Sequence, residues 1–157
     1  MSMSANARAL VDLNAGTIVA TVTIDAPVER VYRALASQEV TKWWGADGSY
    51  RTTRWEADTR VGGAWRAEGT SVDRGTFSVY GEFLEVDPPH KLSLSWNHDW
   101  DDCPPTTVTY LLDAVDGGTK VTVHHTGFGT NKTSCQGHAN GWEAVLQWLS
   151  NYVRVNR

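Results

Sequence analysis

The feature that most constrains the fold is a series of six extended segments that runs from Tyr50 to about Phe128. Turn-forming residues separate the segments, in the stretches RVGG, DRG, DPPH, DDCPP and DGG, where glycine and proline interrupt regular structure. Strands that follow one another through such short connections pair as an antiparallel meander. The sequence therefore predicts a large antiparallel sheet.

One more strand and two short helices precede this series. Residues 17–24, TIVATVTI, alternate with the two-residue period of a strand and are rich in β-branched side chains. After Pro27, apolar residues recur at helical spacing up to Leu35, and the stretch QEVTKWW predicts a second short helix. Residues 1–16 are interpreted as a polar N-terminal leader and residues 17–157 as a single domain.

The C-terminal stretch HANGWEAVLQWLSNYV, residues 138–153, predicts a long amphipathic helix. Its apolar side spans an arc of roughly 160°, which fits a helix gripped by a curved sheet better than a helix on a flat surface. Thr133 and Asn140 both have capping-box spacing, and the earlier start is preferred. That start places Gly137 and Gly141 inside the helix, at a cost of about 0.5–1 kcal/mol each relative to alanine. Either a close approach of backbone or ligand, or a frayed helix end, would explain them.

The turn DPPH predicts which side chains of its two flanking strands face the interior. In KLSLSWN the apolar positions alternate, so Leu92, Leu94 and Trp96 share the inner face. The short turn places Val86 opposite Leu92 and, further along, Glu82 opposite Trp96. Glu82 is therefore expected to point inward.

Three apolar residues before Leu84 have the opposite phase: Phe77, Val79 and Phe83. Two explanations remain open. A β-bulge near Gly81 could exchange the two faces of the strand. Alternatively, the outer surface is partly apolar, and such a patch would indicate a homodimer.

Two histidines are expected on the inner surface. His125 shares a strand face with Val121 and Val123, and His138 lies one helical turn from Trp142 on the apolar side of the C-terminal helix. Together with Glu82 and several aromatic side chains, they form a mostly aromatic chamber with a few convergent polar groups. That composition is typical of a small-molecule pocket.

Composition excludes several function classes. The net charge is −4 and no run of lysine or arginine occurs, which argues against a nucleic-acid partner. Cys103 and Cys135 have no zinc-ligand spacing and are interpreted as reduced thiols, so neither a metal nor another cofactor is expected. The sequence shows no signal peptide and no segment of membrane-spanning length, so a cytoplasmic protein is predicted. The stretch NHDWDDC lacks the pattern of an EF-hand and is interpreted as a solvated loop, with Trp100 as a candidate lid.

Six stretches carry a family resemblance: APVERVYRAL with the WW that follows, RVGGAWR, GEFLEVDPPHKLSLSW, GTKVTVHHTGF and GWEAVLQWL. In this order they resemble the START/Bet v1-like (SRPBCC) superfamily, and specifically the AHSA1-type branch named for activators of the Hsp90 ATPase. The resemblance runs from about Thr17 to the C-terminus. It implies an α+β helix-grip fold, in which a seven-stranded antiparallel sheet curls around the long helix and encloses a cavity. The implied ligand-binding positions are Trp44, Trp65, Glu82, Trp96, Tyr110, His125, His138 and Trp142.

Three functions follow from these observations. The preferred one is non-enzymatic binding, transport or sensing of a small hydrophobic or amphipathic ligand that is lipid-, polyketide- or aromatic-like. The second is a cyclase or hydrolase in which His125 or His138 works with Glu82 as acid–base partners. The third is a stress-response adaptor or co-regulator of an Hsp90-type chaperone. The short leader argues against this third function, because the eukaryotic activators carry an additional N-terminal domain.

Overall fold

The computed structural model describes residues 7–157, which form an α+β domain of eight strands and three helices. The strands are β1 (Arg8–Asp12), β2 (Thr17–Ile24), β3 (Tyr50–Ala57), β4 (Ala64–Ser71), β5 (Gly75–Asp87), β6 (Lys91–His98), β7 (Thr106–Val115) and β8 (Gly118–Thr126). The helices are α1 (Val28–Leu35), α2 (Val40–Trp43) and α3 (Lys132–Val155).

All eight strands belong to one antiparallel sheet with the order β1-β2-β8-β7-β6-β5-β4-β3. Strands β3 to β8 pair with their sequence neighbours, as a meander requires, and β2 joins the meander beside β8. The sheet curves around α3, which confirms the predicted helix-grip fold. The sheet has eight strands instead of the predicted seven.

The additional strand, β1, lies in the segment that was predicted to be a polar leader. Residues 1–6 of that leader lie outside the described part of the chain. Strand β1 pairs with β2 along its whole length, and Ala9 together with Ala7, just before the strand, also reaches α3. The backbone N–H of Ala7 donates to Gln147 Oε1 (3.2 Å), and that of Ala9 donates to Glu143 Oε2 (3.1 Å). Helix side chains thus occupy part of the open edge of β1.

Helix α3 packs against the concave face of the sheet. It begins at Lys132, close to the earlier of the two predicted starts, although its N-cap residue is Asn131 instead of Thr133. The helix packs most closely against β2 and β1, and its Leu146, Leu149 and Val153 are fully buried. Farther along the sheet, towards β3 to β6, the helix and the strands diverge and leave a cavity.

A bulge in β5 makes the expected inward direction of Glu82 wrong. Val86 does lie opposite Leu92, as predicted, but the register shifts between Phe83 and Glu85. Because one extra residue exchanges the two faces of a strand, Phe83 lies opposite Leu94 and is buried, whereas Glu82 is exposed. Its backbone N–H donates to Ser95 Oγ (2.9 Å) on β6.

The same bulge decides between the two explanations for the opposite phase of Phe77, Val79 and Phe83 in β5. The register shift lies at Leu84, three residues beyond Gly81, where the bulge was expected. Val79 and Phe83 are buried and Phe77 is half-buried against the core, so these three residues do not form an outer patch. The sequence argument for a homodimer therefore loses its basis.

Candidate functional site

A cavity of about 670 Å³ lies between α3 and the concave face of the sheet. This volume falls within the range of about 300–1,000 Å³ that is usual for small-molecule sites. Aromatic side chains make up much of the wall: Trp44, Tyr50, Trp55, Trp65, Phe77, Trp96, Trp100, Tyr110 and Trp142. Leu35, Val40, Ala67, Val79, Leu94 and Val145 complete its apolar part. The wall is therefore suited to flat or extended apolar molecules.

The cavity opens to solvent at one end, where its lining residues are exposed. Gly48 lies in the α2–β3 loop, Asp73 and Arg74 in the β4–β5 turn, Asp101 in the β6–β7 loop and Gly137 in the second turn of α3. All three charged side chains of the lining belong to this mouth. The rest of the lining carries no charged side chain.

Six of the eight predicted ligand-binding residues line this cavity: Trp44, Trp65, Trp96, Tyr110, His138 and Trp142. The other two do not. Glu82 is exposed on the outer face of β5, and His125 lies fully buried behind the wall, outside the lining. The binding role of the six remains a prediction, but the structure brings them together around one space.

The indole N–H groups of the four predicted tryptophans differ in their partners. Trp44 Nε1 donates to Tyr50 Oη (3.1 Å), and Trp65 Nε1 donates to the Ser95 carbonyl (3.0 Å). Trp142 Nε1 donates to His125 Nδ1 (3.0 Å). Trp96 Nε1 is buried and has no partner among the described residues.

His125 uses both of its ring nitrogens to hold the wall in place. An indole nitrogen can only donate, so Nδ1 of His125 must accept from Trp142 and Nε2 carries the proton. Nε2 then donates to Thr106 Oγ1 (2.7 Å), and Thr106 Oγ1 donates to the Trp96 carbonyl (3.4 Å). Burial holds the pKa of His125 well below its ordinary value, and His138 and His98 lower it further. His125 is a neutral structural residue.

His138 lines the cavity with a free acceptor nitrogen. Its Nδ1 donates to the Ser134 carbonyl (2.8 Å), because a carbonyl oxygen can only accept. The proton of the neutral ring therefore lies on Nδ1, and the buried Nε2 is an acceptor without a partner in the described chain. Burial lowers the pKa of His138 to about 4, so the ring is neutral at pH 7.

The sequence interpretation missed the role of the β6–β7 loop. His98 was assigned to a solvated loop, but its side chain is buried and its ring stacks on Trp100 with 4.4 Å between centroids. His98 Nε2 lies 2.6 Å from Asp101 Oδ1, and the Arg74 guanidinium lies 5.7 Å from the centroid of the Trp100 ring. Trp100 thus lies at the mouth, as its proposed role as a lid requires. The alternation Leu92, Leu94, Trp96 continues to His98 and could have revealed its inward direction.

The two helical glycines have a structural explanation. Gly137 and Gly141 both line the cavity, and a Cβ atom added to either would meet no atom within 4 Å. The frayed-end explanation does not hold for Gly141, which lies well inside α3. The absence of side chains at both positions leaves volume to the cavity.

The structure does not contain the acid–base pair of the enzymatic alternative. That alternative required Glu82 beside His125 or His138, and Glu82 lies on the opposite face of the sheet. Among residues 7–157, no group of three histidine, cysteine, aspartate or glutamate residues is placed to hold a metal ion. Cys103 and Cys135 are free thiols. No helix in the same part of the chain is long and apolar enough to cross a membrane.

Comparison with known proteins identifies the family. The sequence profile described as "Activator of Hsp90 ATPase homolog 1-like protein" matches residues 25–154. The chain belongs to this family. The Activator of Hsp90 ATPase homolog 1-like family was the branch expected from the sequence resemblance, and that expectation is confirmed. Members have a domain of a general ligand-binding type, to which the cavity conforms. A comparison with curated proteins found no match.

Solved structures of similar fold come from several bacteria. Protein Ms6760 from Mycobacterium smegmatis is 26% identical with a TM-score of 0.78, over 92% of this chain and 94% of that one. A protein from Rhodobacter sphaeroides is 20% identical with a TM-score of 0.80, over 96% and 100%. An AHSA1-like protein from Aeromonas hydrophila is 24% identical with a TM-score of 0.76, over 89% and 93%. These likenesses show the shared fold of the family.

Proposed function

We propose that this member of the Activator of Hsp90 ATPase homolog 1-like family binds a small hydrophobic or amphipathic molecule in its internal cavity. It acts as a carrier or sensor and catalyses no reaction. The observation that carries the proposal is the cavity of about 670 Å³ with nine aromatic residues in its wall. Burial of apolar ligand surface contributes about 25 cal/mol per Å², which gives affinity without catalysis. Lipid-, polyketide- and aromatic-like molecules all fit this description.

The two glycines of α3 supply a further argument. A glycine inside a helix destabilises it, and alanine at Gly141 would meet no steric obstacle. Folding alone would therefore favour a larger residue at this position. A ligand that fills the space beside the backbone would explain why it is left open.

A fluorescent probe tests the proposal. N-phenyl-1-naphthylamine is neutral and apolar, and its emission rises when it leaves water. We expect the protein to bind it, and we expect Gly141→Leu to weaken binding at least about tenfold, because the leucine side chain would occupy the cavity. Asn140→Leu is the matched control, since Asn140 is exposed on the polar side of the same helix.

Both variants should first be shown to fold by circular dichroism and urea denaturation. Equal probe binding by Gly141→Leu and by the wild type would place the probe outside the cavity and contradict the proposal. Failure of the wild type to bind this probe or a broad panel of apolar compounds would contradict it as well.

An interaction with an Hsp90-type chaperone is the alternative that the family description favours. Those words describe the family's activators, and for this chain the interaction is a proposal. Pull-down of a purified Hsp90 homologue, followed by measurement of its ATPase rate with and without this protein, tests it. An unchanged rate and no retained chaperone would contradict this alternative.

A further inference from the structure

Two buried nitrogen atoms of the cavity wall, one donor and one acceptor, lack partners in the described chain. Trp96 Nε1 carries a proton that it cannot donate to any neighbour, and His138 Nε2 carries a lone pair that no neighbour uses. Both side chains line the same cavity, and their ring centroids are 6.4 Å apart in an edge-to-face arrangement. Buried polar atoms of folded proteins almost always have partners, so this pair requires an explanation.

Their neighbours show that the lack of partners is specific. Trp44, Trp65 and Trp142 line the same cavity, and each indole N–H has an acceptor within the protein. His98 Nδ1 is also without a partner, but His98 does not belong to the cavity lining. A third unpartnered group of the lining is Ser134 Oγ, which as a hydroxyl can donate or accept. Trp96 and His138 are the two groups whose roles are fixed, one as a donor and the other as an acceptor.

A hydroxyl group matches this pair. Its oxygen can accept from Trp96 Nε1 while its hydrogen is donated to His138 Nε2. Each nitrogen exposes less than 1 Å² of surface, so one of the two rings must shift slightly to admit the hydroxyl oxygen. A carboxylate can only accept, so it would leave the lone pair of His138 unused and place a second acceptor against it.

The charges of the cavity support the same choice. The charged lining residues Asp73, Arg74 and Asp101 all lie at the mouth, and Arg74 is held over Trp100. Burial of a carboxylate beside Trp96 without a counter-charge would be strongly unfavourable. Besides burial, the main cause of its lowered pKa, His138 experiences the charges of Asp101 and Arg74 with opposite signs, so the pair offers a carboxylate no net counter-charge.

We propose that the cavity selects ligands with a hydroxyl group, a phenol or an alcohol on an apolar ring system, and binds that hydroxyl between Trp96 Nε1 and His138 Nε2. This inference rests on the proposed ligand-binding function and specifies the chemical class of the ligand. The apolar body of the molecule lies against the tryptophan wall, and the hydroxyl fixes its orientation.

Three compounds of one shape test the inference: 2-naphthol, 2-methylnaphthalene and 2-naphthoate, measured by equilibrium dialysis at pH 7. We expect 2-naphthol to bind about tenfold more tightly than 2-methylnaphthalene, since it forms two hydrogen bonds that the hydrocarbon cannot form. We expect 2-naphthoate to bind most weakly. His138→Phe and Trp96→Phe each remove one partner and should reduce the preference for 2-naphthol to less than about threefold.

Trp44→Phe is the control, because Trp44 donates to Tyr50 and not to the ligand. It should lower the affinity for naphthol and hydrocarbon alike and leave their ratio unchanged. Retained binding of 2-methylnaphthalene shows that each variant is folded. Equal affinity of the wild type for these two compounds would overturn the hydroxyl inference and leave the proposed function standing, as would tightest binding of 2-naphthoate. Failure of all three compounds to bind would overturn the hydroxyl inference, and it would overturn the proposed function only if N-phenyl-1-naphthylamine does not bind either.

Discussion

Trp142 and His125 are joined across the interior, with the indole Nε1–H of α3 donating to the imidazole Nδ1 of β8 at 3.0 Å. Both side chains are buried, and the bond fixes the tautomer of His125. Through its Nε2, His125 extends the connection to Thr106 on β7. The helix wall and the sheet wall of the cavity are thus held in a set relation by polar contacts as well as by packing.

Loss of this bond should destabilise the protein. Trp142→Phe leaves His125 Nδ1 buried without a donor and also removes part of an aromatic side chain, so we expect the free energy of unfolding to fall by about 2–3 kcal/mol. Urea denaturation measures the change. Trp148→Phe on the same helix is the control, because Trp148 is only half-buried and contacts Tyr50 by its ring edge. A similar loss in both variants would mean that the hydrogen bond contributes little.

Stability should decrease in mild acid because His138 is buried in its neutral form. Its pKa is about 4 in the folded protein, where burial is the main cause, and close to 6.5 in the unfolded chain. Between these values the unfolded chain binds more protons, so stability is lost as the pH falls from 6.5 to 4 and is fully present above 6.5. The contribution of His138 over this range is up to about 3 kcal/mol.

Urea midpoints measured between pH 7 and pH 4 test this dependence. His138→Phe should flatten the decrease in part, since the buried His125 still contributes to it. The pH dependence of the urea midpoint that remains in this variant then reports on His125 and on carboxylates that titrate near pH 4. An unchanged slope in His138→Phe would contradict the assignment.

Three elements meet at the carboxylate of Glu39, which should make this residue important for stability. It forms an ion pair with the buried Arg30 of α1 (2.8 Å) and accepts a hydrogen bond from Tyr152 Oη of α3 (2.7 Å). Burial acts to raise the pKa of Glu39, but its hydrogen bonds with Tyr152, Arg30 and Arg33 outweigh this effect and hold the pKa below its usual value.

Glu39→Gln leaves the Arg30 guanidinium buried without its counter-charge. We expect a loss of about 3 kcal/mol in the free energy of unfolding, measured by urea or thermal denaturation at pH 7. Asp47→Asn is the matched control, because the Asp47–Arg51 ion pair is exposed and such pairs contribute little. Equal effects of the two substitutions would show that burial of Arg30 does not matter.

Alanine at Gly141 should stabilise the protein while it reduces the cavity. The new methyl group meets open space, and alanine favours the helix by about 0.5–1 kcal/mol. Gly69→Ala is the opposite case, because its Cβ atom would overlap the backbone carbonyl oxygen of Arg51. The midpoint temperature of thermal denaturation should therefore rise for Gly141→Ala and fall strongly for Gly69→Ala. A fall for both would mean that the Gly141 backbone needs the freedom of glycine.

Much of the fold could be predicted because the strands carry a clear two-residue period. The bounds of β2 coincide with the predicted stretch 17–24, and β3 begins at Tyr50, where the series of extended segments was predicted to begin. The inner faces of β6 and β8 were also predicted. Strand β1 was missed because RALVD has little β-branched character of its own. Its strand form depends on pairing with β2 and on contacts with α3, which are remote in sequence.

The candidate site was less predictable because side-chain direction depends on single residues. One bulged position at Leu84 turned Glu82 outward and Phe83 inward, and no local pattern fixes such a position. His98 was missed for a different reason: the strand β6 extends two residues beyond Trp96, and the polar sequence after it indicated a loop. His125 was correctly directed inward, but only the structure shows that both of its nitrogens are engaged within the protein.

The contacts that Gln147 and Glu143 make to β1 bear on how separate molecules meet in solution. The unpaired edge of a strand is a template on which another chain can add a strand. At this edge the backbone N–H groups of Ala7 and Ala9 already donate to helix side chains. At the far end of the sheet, β3 presents Arg51, Arg54 and Glu56 to solvent, and charged groups there also discourage such growth. Any self-association of this protein should therefore proceed through faces or loops, and not by continuing one sheet into the next.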